Sequence, residues 1–354
     1  MNARCPVCGQ IRQISAVIGA CADCLRQRPA EALPRARATH RVTRREFGLP
    51  PEPPRAPAGV RCTGCVNECV IGPDERGYCG LRENRAGRLH LLAGSARRGL
   101  LQWYRDPLPT NCVADWVCPG HRQYGYHNLA VFYGACSFDC LFCQNWHYRE
   151  MTPTSRHVLS AQELAEVANP LTFCVCYFGG DPSPQMPHAL AASRLLAERG
   201  VRICWETNGS MAPAYLRRAV ELSLTSGGCI KFDLKAWDDC LHRALTGVSN
   251  RRTLENLALA ASYIPYRPDP PLVIASTLLV PGYVDAAEVR SLARYLASFD
   301  PNIPYALLAF APQFHMHDLP CTSREQAEAA EEAARAAGLT CVRIGNRHLL
   351  GWGS

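Results

Sequence analysis

Lysine is nearly missing from this chain of 354 residues: of 38 Lys and Arg residues only two, Lys231 and Lys235, are lysine. Under such a bias toward arginine, a lysine persists where a compact ammonium on a flexible stem does something a planar guanidinium cannot. Both lie within Ile230-Lys-Phe-Asp-Leu-Lys-Ala236. Long apolar stretches are also missing, since no uncharged run approaches the ~18 residues of a membrane span. A secretory leader is not expected either, because Cys5 and Cys8 interrupt the first ten residues. The chain therefore reads as cytoplasmic, where clustered cysteines signal metal rather than disulfide. The net charge of +7 is carried by scattered Arg and a basic stretch from Arg26 to Arg55. It allows a nucleic-acid partner without requiring one.

Cysteine, in contrast, is abundant, with 20 residues that fall into sets. Cys5-x2-Cys8 and Cys21-x2-Cys24 can supply four thiolates to a closed, tetrahedral zinc site, so residues 1–28 read as a zinc-ribbon-like module. Residues 29–60, rich in Pro, Ala and Arg, read as an extended linker. In 61–127, Cys62-x2-Cys65-x3-Cys69 and Cys79 can close an auxiliary site that holds zinc, mononuclear iron or a second [4Fe–4S] cluster. Cys112 and Cys118 read as small buried packing residues.

From Asn128 onward, strand and helix signals alternate. Strands are expected over 129–133, 172–178, 201–205, 229–234, 272–280 and 303–310. Helices are expected over 161–168, 187–199, 212–222, 253–263, 285–299 and 323–337. Six β-α pairs argue for an α/β fold in which 128–350 form a partial (β/α)6 barrel behind a cysteine-rich N-terminal extension. In such barrels the functional residues sit at the C-terminal ends of the strands.

The loop after the first expected strand carries Cys136-x3-Cys140-x2-Cys143 with Phe142 beside the last thiol. Three thiolates on one short loop can hold three corners of a [4Fe–4S] cluster and leave the fourth iron open. The same spacing also suits a zinc loop that borrows a distant ligand. The next strand ends in Gly179-Gly180-Asp181-Pro182, where glycines allow close backbone approach to a ligand. The third ends in Glu206-Thr207-Asn208-Gly209 and the fourth in Asp233-Leu234-Lys235. Glu206 and Asp233 could alternatively cap helices.

These motifs together resemble the radical SAM superfamily, in which the open iron chelates S-adenosylmethionine (SAM). Within it, the strand ends are most similar to pyruvate formate-lyase activating enzyme and other glycyl radical enzyme activases. The Cys62 to Cys79 set, Phe142-Cys-Gln-Asn-Trp146 and Arg343-Ile-Gly-Asn346 resemble the AmmeMemoRadiSam group. The resemblance covers roughly residues 60 to 350. It implies that Gly179 and Gly180, with Asp181 in place of the usual Glu, bind the methionyl amino group. It further implies that Glu206, Thr207, Asn208 and Asp233 lie beside SAM, with Glu206, Thr207 and Asp233 able to ligate a monovalent cation. Lys235 would contact the SAM carboxylate or ribose. The histidine that often reaches the ribose from the last strand is replaced by Ala311, which leaves His315 as the candidate.

The expected activity is reductive cleavage of SAM to a 5′-deoxyadenosyl radical that takes hydrogen from a protein or peptide, with a flavodoxin or ferredoxin as reductant. Two alternatives remain open on sequence: radical modification of a small molecule or RNA with help from an auxiliary metal, and a zinc-dependent nucleic-acid or protein-binding module without catalysis.

Overall fold

A computed structural model describes residues 2–110, 112–154 and 156–351. Its centre is one nine-stranded mixed sheet. The strands are β1 (Gly99–Pro107), β2 (His127–Tyr133), β3 (Val158–Leu159), β4 (Thr172–Gly179), β5 (Arg202–Thr207), β6 (Ile230–Asp233), β7 (Val273–Leu279), β8 (Tyr305–Ala309) and β9 (Val342–Gly345). Their spatial order is β9-β8-β7-β6-β5-β4-β2-β1-β3. From β2 to β9 every pairing across this order is parallel, and β1 and β3 add an antiparallel edge. The two edges do not pair with each other, so the barrel is open.

All six expected strands form. A seventh parallel strand, β9, closes the series. Its four residues, Val342-Arg-Ile-Gly345, are too few for a hydrophobic period to show. Strand β7 is buried at all seven positions, as a parallel strand covered on both faces must be. One face carries helices and the other is concave: Phe178, Glu206, Asp233, Leu278 and Leu308, from five different strands, line a single cavity.

Nine helices accompany the described strands: α1 (Ala22–Gln27), α2 (Pro29–Glu46), α3 (Ala161–Glu166), α4 (Met186–Glu198), α5 (Pro213–Ser226), α6 (Asp239–Thr246), α7 (Arg251–Ala261), α8 (Ala286–Ala297) and α9 (Arg324–Ala336). Local chemistry sets their ends. Asp285 caps α8 by accepting from the amides of Ala287 (3.1 Å) and Glu288 (2.9 Å). Ser160 and Glu163 form a capping box on α3.

The extended linker expected at 29–60 is a correction. Residues 29–46 form the 18-residue helix α2, and turns and loop are confined to 47–59. Pro29 stands at the first helical position, where its missing N–H costs nothing. Most of the remaining helix is Ala, Arg, Glu and Leu, all strong helix formers. The helix is also seated rather than tethered: the His40 ring bonds the Ala244 carbonyl of α6 at 3.0 Å. In the preceding module, Arg26 pairs with Glu288 of α8 at 3.1 Å, and the Ser15 amide donates to the Tyr283 hydroxyl at 2.9 Å.

Candidate active site

The loop after β2 turns Cys136, Cys140 and Cys143 into a cavity of about 160 Å³. Phe138, Phe142, Gln144, Asn145 and Tyr148 from the same segment line it as well. Burial raises all three thiol pKa values, that of Cys140 to about 12, against the opposing pull of the Lys235 ammonium. Neutral, desolvated thiols of this kind become thiolates when they ligate a metal. No fourth cysteine and no histidine is among the lining residues. The donor set therefore fits a [4Fe–4S] cluster bound at three corners with one iron open.

Gly179 and Gly180, at the end of β4, also line the cavity, and their geometry explains why both are glycine. Gly179 has φ +96°, and a Cβ there would stand 2.6 Å from the Phe132 Cα; at Gly180 it would meet the Ala135 carbonyl at 2.3 Å. The close approach is thus between β4 and the cysteine loop, and it seats the loop against the strand end. The amides of Gly180 and Asp181 donate to the carbonyls of Tyr133 (3.0 Å) and Ala135 (2.9 Å). Asp181 is buried, and its carboxylate accepts from the Ser183 amide (2.7 Å), the Thr207 hydroxyl (2.9 Å) and the Asn208 amide (2.8 Å). It ties the ends of β4 and β5 together. Asn208 in turn donates from Nδ2 to the Ser137 hydroxyl at 3.0 Å, and its Nδ2 lies 3.6 Å from the Cys136 sulfur.

Glu206, Thr207, Asp233 and Lys235 line the same cavity. Lys235 is paired with Asp233, and its ammonium lies 5.5 Å from the centre of the Phe142 ring. Burial lowers its pKa, but Asp233 and the nearby Cys140 outweigh burial and hold it above the usual lysine value. Glu206 meets the other lysine: its carboxylate is 3.2 Å from Lys231 Nζ, one step across the β5–β6 register. A side chain expected to ligate a monovalent cation therefore already faces an ammonium.

His315 is the one SAM candidate outside this group. It is absent from the cavity lining, its Nε2 lies 3.5 Å from a Glu46 carboxylate oxygen, and its backbone amide donates to Leu141. Its ring thus faces Glu46 of α2, and its backbone amide braces the cysteine loop from outside.

Sequence reasoning missed the element that holds the loop from behind. Asp139, wholly buried between Cys136 and Cys140, accepts from the Thr43 hydroxyl (2.8 Å), bonds His40 Nδ1 (2.8 Å) and pairs with Arg149 (2.7 Å). Burial alone would raise its pKa, but the His40 hydrogen bond and the Arg149 charge bring it down to about 2. Two of these partners, His40 and Thr43, lie nearly a hundred residues away and leave no local signal.

The other two cysteine sets differ in form. The sulfurs of Cys5, Cys8, Cys21 and Cys24 all lie within 4.8 Å of one another, with Cys5–Cys24 and Cys8–Cys21 at 3.9 Å. Among the described residues no other set of three or more Cys, His, Asp or Glu is drawn so tightly. Cys62, Cys65, Cys69 and Cys79 stand more loosely behind the cysteine loop. Cys62 and Cys69 share an apolar cluster with Phe138, Cys136 and Cys140, and Cys65 bridges to Met211.

Residues 130–296 match the family profile described as "Radical SAM superfamily". An uncharacterized protein of Methanocaldococcus jannaschii is 26% identical over 301 residues, 81% of each chain. The isethionate sulfite-lyase activating enzyme of Oleidesulfovibrio alaskensis is 33% identical over 133 residues, which are 37% of this chain and 40% of that enzyme. Pyruvate formate-lyase 1-activating enzyme of Escherichia coli K12 is 28% identical over 142 residues, 35% of this chain and 52% of the relative. The chain thus spans about half or less of the named activating enzymes. The matched stretch contains the open three-cysteine loop and the strand ends that face it, so residues 130–296 carry a radical SAM domain and the arrangement is that of a radical SAM enzyme.

Proposed function

We propose that the chain abstracts hydrogen from a protein or peptide, as an activase does, at the concave mouth above the cysteine loop. When bound, the [4Fe–4S] cluster supplies the electron that splits SAM into methionine and a 5′-deoxyadenosyl radical. The chain's own residues orient and enclose. Cys136, Cys140 and Cys143 are the cluster ligands, and the cavity-lining backbone at Gly179–Gly180 accepts from the methionyl ammonium. Lys235 carries the positive charge that meets the SAM carboxylate or ribose hydroxyls. Asp181 keeps the Thr207–Asn208 turn in place, and Phe142, Phe178, Leu278 and Leu308 provide an apolar wall that keeps water from a reactive radical.

The observation that carries this reading is the convergence of the three thiols with all three strand-end motifs on one cavity. The activase direction is supported by the names of the partial relatives. Cys5, Cys8, Cys21 and Cys24 hold zinc on the same reading, since four sulfurs so close together suit a closed tetrahedral site. A flavodoxin or ferredoxin serves as the reductant.

The test is anaerobic reconstitution with iron, sulfide, SAM and a one-electron reductant, followed by quantification of 5′-deoxyadenosine. Incubation with glycine-deuterated candidate proteins then asks whether deuterium reaches 5′-deoxyadenosine. Cleavage without transfer from any protein or peptide, but with transfer from a small metabolite, would overturn the substrate assignment.

A further inference from the structure

Three carboxylates, Asp181, Glu206 and Asp233, line the cavity above the cysteine loop. SAM brings a carboxylate of its own, so positive charge has to stand beside this group if the ligand is not to be repelled. The resemblance to the activases implies that a monovalent cation held by Glu206, Thr207 and Asp233 supplies that charge. In this chain those three groups are not free. The Glu206 carboxylate lies 3.2 Å from Lys231 Nζ, and Asp233 is paired with Lys235. The Thr207 hydroxyl donates to Asp181 at 2.9 Å and accepts from the Gly209 amide at 3.1 Å. Asp181 itself accepts from Ser183, Thr207 and Asn208. Each expected cation ligand is already engaged inside the protein, and two ammonium groups balance the two remaining carboxylates.

Lys231 is placed for this. It stands directly across the β5–β6 register from Glu206, and its side chain is 1% exposed. An ammonium has three N–H donors. Here they meet three acceptors: Glu206 and the sulfurs of Cys176 (2.9 Å) and Cys112 (3.0 Å). Lys231 lines the small pocket beneath the cavity and not the cavity itself, so its charge reaches the ligand through Glu206. A compact ammonium is close in size to a potassium ion and can serve a carboxylate in its stead, which a planar guanidinium cannot. The only two lysines of the chain thus meet the two carboxylates of one site.

We propose that the SAM site of this chain is complete without a monovalent cation, because Lys231, a positioning residue buried behind Glu206, supplies the charge from within the chain. Removing that ammonium leaves Glu206 as an unpaired carboxylate at the cavity wall. Only then does an external K⁺ or Na⁺ have a place to act.

This inference rests on the reading that SAM binds in the cavity, and the experiment keeps the two apart. Full-length protein, anaerobically reconstituted, is titrated with SAM by equilibrium dialysis in KCl, NaCl and tetramethylammonium chloride at equal ionic strength. The native affinity should be the same in all three salts. The affinity of Lys231→Met should fall roughly tenfold or more in the tetramethylammonium salt and recover in KCl or NaCl. A merely structural lysine would give no such rescue. Adding Glu206→Gln to that variant should remove the salt response. A native affinity that drops roughly tenfold without K⁺ or Na⁺ would overturn the proposal, as would a folded Lys231→Met protein whose affinity is equal in the three salts. If Lys231→Met does not fold, the native titration decides alone. Native protein that binds SAM in none of the salts would instead remove the SAM reading itself, and this inference with it.

Discussion

The N-terminal knuckle and the barrel loop are both made of cysteine, yet they are built for opposite ends. At Cys5, Cys8, Cys21 and Cys24 four sulfurs face one another within 4.8 Å and leave nothing open. At Cys136, Cys140 and Cys143 three sulfurs face a cavity shared with Glu206, Asp233 and Lys235. A closed shell fixes a fold, whereas an open one leaves a coordination position for a substrate. The number of thiols and the space in front of them, rather than the residue type, separate structure from chemistry.

The contrast is most severely tested by removing each set in turn. Replacing Cys136, Cys140 and Cys143 with Ala should abolish 5′-deoxyadenosine formation and remove about four irons per chain. Cys5→Ser/Cys8→Ser should lose one zinc with iron content unchanged, and a parallel fall in iron would erase the distinction.

The two regions are nevertheless coupled through α2. Deleting residues 1–59 removes His40, Thr43 and Arg44 from around Asp139 and leaves that carboxylate buried with Arg149. Breaking a buried charge network costs about 3 kcal/mol or more. The truncated protein should melt earlier and lose iron on desalting. A truncated enzyme with full iron and unaltered melting would mean that the extension is an independent module.

Asp139 sharpens the coupling further through pH. Its folded-state pKa lies at about 2, below the ordinary carboxylate value. Its stabilisation of roughly 2 kcal/mol is therefore complete above about pH 4 and vanishes as the pH falls through about 2. Chemical denaturation between pH 2 and 5 should show this loss in the native protein and a flatter profile in Asp139→Asn.

The smallest effect concerns the open site alone. Lys235→Arg keeps the charge but replaces a pivoting ammonium with a rigid fork beside Asp233 and Phe142. SAM cleavage should fall at least tenfold, about 1.4 kcal/mol. Unaltered SAM affinity and turnover in that variant would show that the strand-end lysine does not contact SAM.

Much of the fold and of the open site is legible in the sequence because periodicity and spacing are local. Strands β2 and β4 to β8 announce themselves as apolar β-rich runs, whereas the two-residue β3 does not, and Cys-x3-Cys-x2-Cys needs only eight residues to be seen. Helix α2 is hidden because the prolines from Pro50 to Pro57 signal an extended chain and mask the Ala-Arg-Glu composition of the stretch before them. The brace on Asp139 and the pairing of Glu206 with Lys231 depend on contacts between distant elements, which no window captures. The small pocket lined by Cys112, Cys118, Cys174, Cys176, Cys204 and Cys229 is partly visible. Cys174 and Cys176 stand two apart in a strand, a spacing that puts both on one face, but the convergence with Cys112, Cys204 and Cys229 requires the sheet to curve.

The central claim is that the open iron on the Cys136-Cys140-Cys143 loop meets SAM directly. It is tested most directly by EPR of the anaerobically reduced, full-length protein before and after addition of SAM. The account predicts a reduced [4Fe–4S] signal whose g-values shift on SAM addition and which is absent from the triple Ala variant. A spectrum that SAM leaves unchanged, or that survives loss of the three cysteines, would contradict it.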